Sequence, residues 1–521
     1  MPQYLTPGVF VEEIERGPRP IEGVPTSTAA FLGETERGPL RPHLVTSFKE
    51  YERWFGNVFQ DGRYMPHAVN GFFENGGNLV YISRIVGANA TAASRVVGDF
   101  TVQAVGPGAW GRKVWIRVQD GSTKDSQGNS GFRLKLAYWP TPPANPFDPF
   151  DNPRQLPRPQ YQEDYNDLSI DPLSSDFFEK RLLDGSTNLP ISALAGLSRS
   201  QAGNAKPPNT PATGEFLDQG GVDDPNPILT DADFTGDLAG ARTELQGLSA
   251  LELDAFRDVA LVYAPYPHDN QNAIFTKIIT HCEELRFRFA VIDSDQITDP
   301  VNLNPRANIP TDTQYGGFYT PWIWTSDPLS GARIRVPPGG HVLGVYARVD
   351  GERGVFKAPA NEIVRGALDI RVDIDDSKQA VMNPSGVNAI RRFPTRGIRV
   401  WGARTLSSNG LWKYISVRRL FIFLERSIYE GTQWVVFEPN DDRLWARVKD
   451  TIRLFLRTQW REGALFGRTE DEAFFITCDR STMTQDDILN GRLICEIGIA
   501  PVRPAEFVIF RVFQYTAEAQ Q

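Results

Sequence analysis

Polar and apolar positions alternate in two neighbouring runs, Lys113 to Gln119 (KVWIRVQ) and Phe132 to Trp139 (FRLKLAYW), with polar turn residues filling Asp120 to Gly131 between them. A period of two in both runs predicts a β-hairpin. Further along the rhythm changes. Val259 to Tyr263 (VALVY) and Phe289 to Ile292 (FAVI) are unbroken apolar runs. Between them Ile274, Phe275, Ile278, Cys282 and Leu285 recur at helical spacing behind Asp269, which is suited to cap the helix. Strand, helix and strand at that spacing predict a βαβ unit, and so an α/β region.

Asp441 to Gly463 (DDRLWARVKDTIRLFLRTQWREG) predicts a long amphipathic helix with acidic residues at its start and Gly463 near its end. At ~100° per residue Leu444, Trp445, Val448, Ile452, Phe455 and Leu456 share one face, and Arg443, Arg447, Arg453, Arg457 and Arg461 gather within ~120° on the opposite one. A solvated face usually mixes charges, and here only Asp450 interrupts the arginines. Both ends of the chain predict strands. Pro7-Gly8 leads into VFVEEIE, and Ala505 to Tyr515 (AEFVIFRVFQY) carries apolar residues on both alternating faces, so it expects burial on both sides and a partner.

At roughly 150 residues per domain, 521 residues suggest about three to four domains, and 40% hydrophobic with 11% aromatic residues exclude global disorder. A formal charge of -9 is the wrong sign for a protein that coats nucleic acid. The charge is unevenly spread. From Thr141 to Gly240 there are 14 of the 39 prolines and 16 acidic against 6 basic residues, a local net of -10. Such a stretch resists regular structure and predicts a solvent-facing, loop-rich insertion, although Phe147, Phe150, Tyr161, Tyr165, Phe177 and Phe178 are more aromatics than a linker carries. From Gly386 onward 20 basic residues face 16 acidic ones, a net of +4 on an otherwise acidic chain. No run of about 18 apolar residues occurs, and the acidic start Met1 to Gly17 is unlike a signal peptide, so a soluble protein made in the cytosol is expected.

Motifs for chemistry are scarce. Three widely separated cysteines, Cys282, Cys478 and Cys495, argue against a disulfide framework, and no zinc spacing can be written with the five histidines. His281 and Cys282 are adjacent, which on a helix points them ~100° apart and favours a packed role. Gly106 to Gly111 (GPGAWG) matches a dinucleotide fingerprint in letters only, because a proline occupies its second position and a strand rather than a helix follows; it predicts a tight turn. The acidic cluster Asp373, Asp375 and Asp376 lacks the glycine and distal glutamate of a calcium loop. No catalytic residue, cofactor site or metal site is selected, and the chain is expected not to be an enzyme.

Several blocks carry a resemblance. Arg19 to Val24 (RPIEGV), Thr28 to Gly33 (TAAFLG) and Pro107 to Arg112 (PGAWGR) are followed by Gly340 to Asp350 (GHVLGVYARVD), Arg353 to Asn361 (RGVFKAPAN), Gly397 to Thr405 (GIRVWGART) and Arg418-Arg419-Leu420. This combination resembles the sheath proteins of contractile phage tails and related contractile injection systems, over roughly 1 to 120 and 255 to 521. Nothing in the Pro-rich stretch shares it.

The resemblance implies an α/β and α+β multidomain fold, with mixed sheets and flanking helices, a β-rich outer insertion and strand-forming terminal arms. The expected division is an N-terminal arm 1–25, an α/β middle domain 26–100 plus 250–375, an outer insertion 101–249, a basic C-terminal α+β domain 376–504 and a C-terminal arm 505–521. It implies a structural role: hexameric rings stacked helically around an inner tube, anchored on a baseplate and closed by a terminal cap protein, which shorten to drive the tube through a target envelope. Val9, Val11, Phe507, Ile509 and Phe513 would then pair with neighbouring subunits, and Arg443, Arg447, Arg453, Arg457 and Arg461 would face the tube. The particle is expected to assemble in the cytoplasm of the producing bacterial cell, with no nucleic acid partner, no direct membrane insertion and no cofactor. Another non-enzymatic virion or baseplate component is the alternative.

Overall fold

The unbroken apolar runs form the middle of a nine-stranded sheet in the computed structural model, which describes residues 20–57, 63–124, 130–184, 189–200, 205–225, 228–236, 246–265, 271–296 and 303–511. Its strands are β1 (Ala29–Gly33), β2 (His43–Val45), β3 (Val80–Arg84), β4 (Leu261–Tyr263), β5 (Phe289–Asp293), β6 (Gly316–Thr320), β7 (Glu362–Ile363), β8 (Val387–Phe393) and β9 (Gly397–Trp401). They lie in the order β7-β9-β8-β6-β5-β4-β1-β3-β2. From β8 to β3 all pairings are parallel, with Ala29 opposite both Val80 and Leu261, Val262 opposite Ala290 and Phe318 opposite Val387. Antiparallel pairings are confined to the ends, β2 on β3 and β9 on β8 and β7. Every residue of β1, β4, β5 and β6 is buried, as strands covered on both faces require.

Helices complete this unit: α1 (Phe48–Phe55), α2 (Met65–Glu74), α3 (Gln271–Leu285), α4 (Gly339–Arg353) and α5 (Asp376–Met382). The expected β4-α3-β5 unit is present, with Ile274, Phe275, Ile278 and Cys282 buried; Asp269 lies outside the described residues. Helix α4 is buried from Gly339 to Val349, and two of its glycines explain how. A Cβ on Gly340 would stand 2.4 Å from the Ala68 carbonyl oxygen, and one on Gly344 would stand 2.4 Å from that of Phe72. Only a residue without a side chain lets α4 lie against the backbone of α2.

Between β3 and β4 the chain builds a β-rich region. One four-stranded sheet joins residues 195–199, 100–104, 91–97 and 219–222 in that order, and a second joins 215–216, 114–124, 130–138 and 161–168. The expected hairpin is the centre of the second, with Ile116 opposite Leu136. The Pro-rich stretch differs from expectation. Leu168, Phe178, Leu182, Leu194 and Leu197 enter the same core as Phe100, Trp110, Ile116, Phe132 and Leu134, and Phe147 packs with Trp115 and Trp139. Some of its acids are turned inward: Asp148, 2% exposed, accepts from Lys135 at 3.0 Å and from Phe150 N–H at 2.7 Å, and Glu163 accepts from Ala193 N–H at 2.9 Å. Composition alone marks 141–240 as solvent-facing, but its scattered leucines and phenylalanines complete a core the hairpin cannot close alone.

The chain divides into two compact units, Pro25–Arg419 and a second formed by Met1–Val24 with Leu420–Gln521. The boundary differs from the expected 375/376 because β8 and β9 hydrogen-bond into the large sheet. The smaller unit contains most of α6 (Ile415–Gly431), then α7 (Asp442–Arg461) and an antiparallel ribbon of β10 (Phe474–Thr477) and β11 (Glu496–Ile499). Within it Val24 N–H donates to Ser427 Oγ at 3.1 Å, and Ile21 is buried so close to Gly431 that a Cβ there would meet it at 2.6 Å. The last residues of the expected N-terminal arm are thus seated on α6 of their own chain.

Candidate assembly surfaces

The most distinctive sequence blocks brace the interior of the larger unit. Asp350, near the end of α4, receives Arg419 Nη1 at 3.0 Å and Thr26 Oγ1 at 2.7 Å, and both charged side chains are buried. The Arg419 guanidinium also lies 4.8 Å from the centre of the Tyr346 ring, whose hydroxyl meets that of Tyr319 at 2.6 Å. Arg418 stacks between Tyr315 and Trp412, 4.9 and 4.7 Å from their ring centres. Asp375 caps α5 by accepting from Lys378 N–H, and Asp373 and Asp376 pair with Arg392 and Arg391, so this acidic cluster is structural. GPGAWG forms a turn opening a short 3-10 helix ahead of the hairpin, as its letters predicted.

The arginine stripe is real but partly answered within the chain. Asp441 caps α7 by accepting from Arg443 N–H and Leu444 N–H, and Leu444, Trp445, Val448, Ile452, Phe455 and Leu456 are all buried. On the other side Glu470 binds Arg457 Nε at 2.7 Å and Arg453 Nε at 3.4 Å. The Arg457 hydrogen bond, with help from Arg453 and Arg461, holds the Glu470 carboxyl below the usual glutamate range. Arg447 reaches Glu438 at 3.8 Å and lies 4.6 Å from the centre of the Trp434 ring. Arg443 and Arg461 are exposed. Periodicity could not find Glu470 or Glu438, because both lie outside the helix.

Beside Arg447 the loop before α7 presents Phe437, fully exposed with φ +68°. A bulky side chain in the left-handed region is a rare and costly conformation. Of the residues expected in the arms, Phe507 and Ile509 are 71% and 78% exposed, as are Val508 and Phe510 to similar extents, and no strand runs through 502–511. The strand expected from Ala505 is therefore absent here, since a strand exists only when hydrogen-bonded to another. Val9, Val11 and Phe513 lie outside the described residues. In the β10/β11 ribbon, Phe474 sits opposite Ile499 and Thr477 opposite Glu496, and among the described residues neither outer edge is paired by a further strand of that sheet.

A polar cavity of about 420 Å³ lies in the larger unit, beyond the ends of β1 and β3. Its charges hold loops in place: Arg84 donates to the Pro107 and Gly38 carbonyls at 2.8 and 3.2 Å, Glu36 accepts from Tyr138 Oη at 2.7 Å, and Asp223 accepts from Ala109 N–H at 2.8 Å. Among the described residues no group of three or more His, Cys, Asp and Glu side chains could hold a metal ion. No described helix is long and apolar enough to cross a membrane.

Comparison with known proteins decides the family. The phage tail sheath protein central domain matches residues 239–406, and the phage tail sheath C-terminal domain matches residues 407–514. The chain belongs to the phage tail sheath protein family. A prophage major tail sheath protein of Pseudomonas aeruginosa (strain UCBPP-PA14) is 26% identical over 280 residues, 53% of this chain and 69% of that protein. The tail sheath protein of Salmonella phage ViI is 24% identical over 253 residues, 43% of this chain and 38% of that protein, so the match spans well under half of the phage sheath. The sheath fold extends over almost the whole chain. The sheath of an extracellular contractile injection system, PVC, in its contracted state superposes with TM-score 0.59 at 22% identity over 99% of this chain and all of that one. The helical sheath of the anti-feeding prophage in its contracted state gives TM-score 0.59 at 22% identity over 98% and 100%.

Proposed function

We propose that this sheath protein is a non-enzymatic contractile subunit. It stacks in hexameric rings around an inner tube, and the array shortens to drive the tube through a target envelope. The observation that carries this reading is that one unit holds both a two-stranded ribbon, whose outer edges no further strand pairs among the described residues, and a terminal segment of exposed apolar residues from Phe507 to Phe510. A lone ribbon is marginal in water, and an extended segment supplies the strand that an open edge lacks. When that segment comes from a neighbouring copy the contact is head-to-tail, and repeated head-to-tail contacts generate rings or helical arrays. Val9, Val11, Phe507, Ile509 and Phe513 are assigned to this exchange.

The same unit carries α7, whose Arg443, Arg447, Arg453, Arg457 and Arg461 we assign to contact with an acidic inner tube; Arg443 and Arg461 are the members left most available. A baseplate protein seats the first ring and a cap protein the last. Assembly takes place in the cytoplasm of the producing bacterial cell, and no nucleic acid, membrane insertion or cofactor takes part. Negative-stain microscopy of the purified protein tests the reading: tubes of stacked rings are expected, and a protein that stays monomeric at every concentration and salt tried would overturn it.

A further inference from the structure

Cys478 and Cys495 are 17 residues apart in sequence but opposite one another in space. In the ribbon every pair of facing residues sums to the same number, from Phe474 with Ile499 to Thr477 with Glu496, and the next pair in that register is Cys478 with Cys495. Their side chains are within hydrogen-bonding reach of each other, and both are free thiols. Facing residues of an antiparallel pair have Cα atoms ~4.5 to 5.5 Å apart, inside the ~4.4 to 6.8 Å range that a disulfide spans without backbone movement.

We propose that Cys478 and Cys495 are a reversible redox site, two thiols in a reducing cell and a cross-strand disulfide once the protein meets an oxidising medium. The oxidant is a small-molecule disulfide. Cys495, the partly exposed member, attacks as its thiolate and forms a mixed disulfide, releasing one small thiolate. Cys478, buried behind it, then attacks the Cys495 sulfur as its thiolate, forming the Cys478–Cys495 bond and releasing the second small thiolate. The two protons lost by the protein end on the two released thiolates, so one small disulfide is reduced to two thiols for each bond formed.

Burial pushes the Cys495 thiol up to about 12 and raises Cys478 as well, with Lys449 opposing both. Few thiolates are present at neutral pH, so closure is slow and accelerates with pH. The bond would close the end of the ribbon opposite the Leu465 to Pro501 bridge and leave the outer strand edges untouched. Redox closure and polymerisation are therefore separate properties.

The test treats the full chain with oxidised glutathione and follows thiols, mass and non-reducing peptide maps. Of the 3 cysteines in the chain, two should become unreactive under denaturing conditions, with a mass lower by two hydrogens and one peptide pair linking Cys478 to Cys495. Cys282, buried in α3, should stay a thiol. The rate should rise roughly 100-fold between about pH 7 and pH 9, because the thiolate fraction of a thiol raised to about 12 grows about tenfold per pH unit. C478S should instead accumulate a glutathione adduct on Cys495, because the second attack has no thiol, while C495S should remain unmodified at Cys478. Dithiothreitol should restore all three thiols. A wild-type product with stable glutathione adducts, with links between chains or to Cys282, or with all thiols intact would overturn the proposal. The wild-type peptide map decides even if a serine variant fails to fold, and none of these readouts depends on sheath assembly.

Discussion

Asp350 and Arg419 form a buried ion pair, 4% and 3% exposed, that joins the end of α4 to the start of α6 in the larger unit. Both residues lie in blocks that carried the family resemblance, so at these positions the blocks mark an internal brace. Breaking such a pair strands a buried charge, which costs about 3 to 5 kcal/mol, whereas replacing both partners with apolar residues is far milder. Asp350→Ala should accordingly lower the unfolding free energy by about that amount, and Asp350→Leu with Arg419→Met should recover most of it. Urea denaturation of the three proteins measures this; equal losses in single and double variants would refute the brace.

A second prediction concerns pH. Burial pushes the Asp293 carboxyl up to about 7, against the opposing hydrogen bonds from the Tyr263 hydroxyl and Gly339 N–H. The folded chain keeps a proton that unfolded aspartate releases near pH 4, so this contribution is fully present below about pH 4 and is lost as pH rises through 7. Burial acts in the opposite sense on histidines, lowering His341 and His43 to about 4 and His281 to about 3. Unfolded histidines take protons first, so each costs about 1.4 kcal/mol per pH unit as pH falls from about 6.5 towards those values. Three histidines outweigh one aspartate. Stability should drop steeply below about pH 6 and decline gently from there to about pH 8, and Asp293→Asn should remove that decline and steepen the acid-side drop, because the opposing slope of the aspartate spans about pH 4 to 7. Unfolding free energies measured across pH decide this, and an unchanged alkaline slope in the variant would count against it.

Legibility in the sequence followed the range of the contacts involved. VALVY, FAVI and the helix between them could be read because burial on both faces leaves an unbroken apolar run and helical packing leaves a period. The buried face of α7 was legible for the same reason. Glu470 beneath Arg457, Cys478 opposite Cys495 and the place of β8 and β9 in the large sheet were not, since each depends on pairing between segments whose spacing carries no local signal. The stretch from Thr141 to Gly240 misled in another way: its prolines and charges dominate the composition, while the few large residues that fill the core, Leu168, Phe178, Leu182, Leu194, Leu197 and Leu217, are scattered among them.

That correction changes what a deletion should do. Replacing Thr141 to Gly240 with a Gly/Ser linker strips six large core side chains, Leu217 among them, from the sheet of Phe132, Leu134 and Leu136, at about 2 to 5 kcal/mol for each large residue lost. The product should aggregate. Asn89 N–H donates to Asp224 Oδ2 at 2.8 Å, so the chain leaves and returns at one place, and excising 90–223 behind a short linker should leave the nine-stranded sheet folded. Soluble expression and circular dichroism compare the two deletions; equal solubility would show that the core of this region is dispensable.

The arms make a separate prediction. Phe507 to Phe510 are exposed, so deletion of Ala505 to Gln521 removes no buried side chain among the described residues, and deletion of Met1 to Arg16, which lie outside them, spares Ile21 to Val24 seated on α6. Each truncation should melt like the full chain yet form no tubes, by calorimetry and negative-stain microscopy. Tubes of normal length from either would exclude strand exchange as the link between subunits.

The stripe on α7 now calls for a different variant from the one its periodicity suggests. Reversing Arg447 and Arg457 to Glu would place a carboxylate beside Glu470 and remove the cation from the Trp434 ring, so a loss of assembly could arise within the subunit. Arg443 and Arg461 are exposed at opposite ends of the helix, and neither is engaged by Glu470 or Glu438 at salt-bridge distance. Arg443→Glu with Arg461→Glu should therefore leave melting and secondary structure nearly unchanged and still permit contracted tubes. It should reduce extended sheath assembled on inner tube, because small losses repeated around every ring multiply. Raising salt from about 0.1 M to 1 M, which shortens screening from about 10 to 3 Å, should imitate part of that defect in the unaltered protein. Co-assembly with inner tube, counted by electron microscopy, reads the outcome. If the double reversal yields extended, tube-filled particles as efficiently as the unaltered chain, then the arginines only solvate the helix and the tube is held elsewhere.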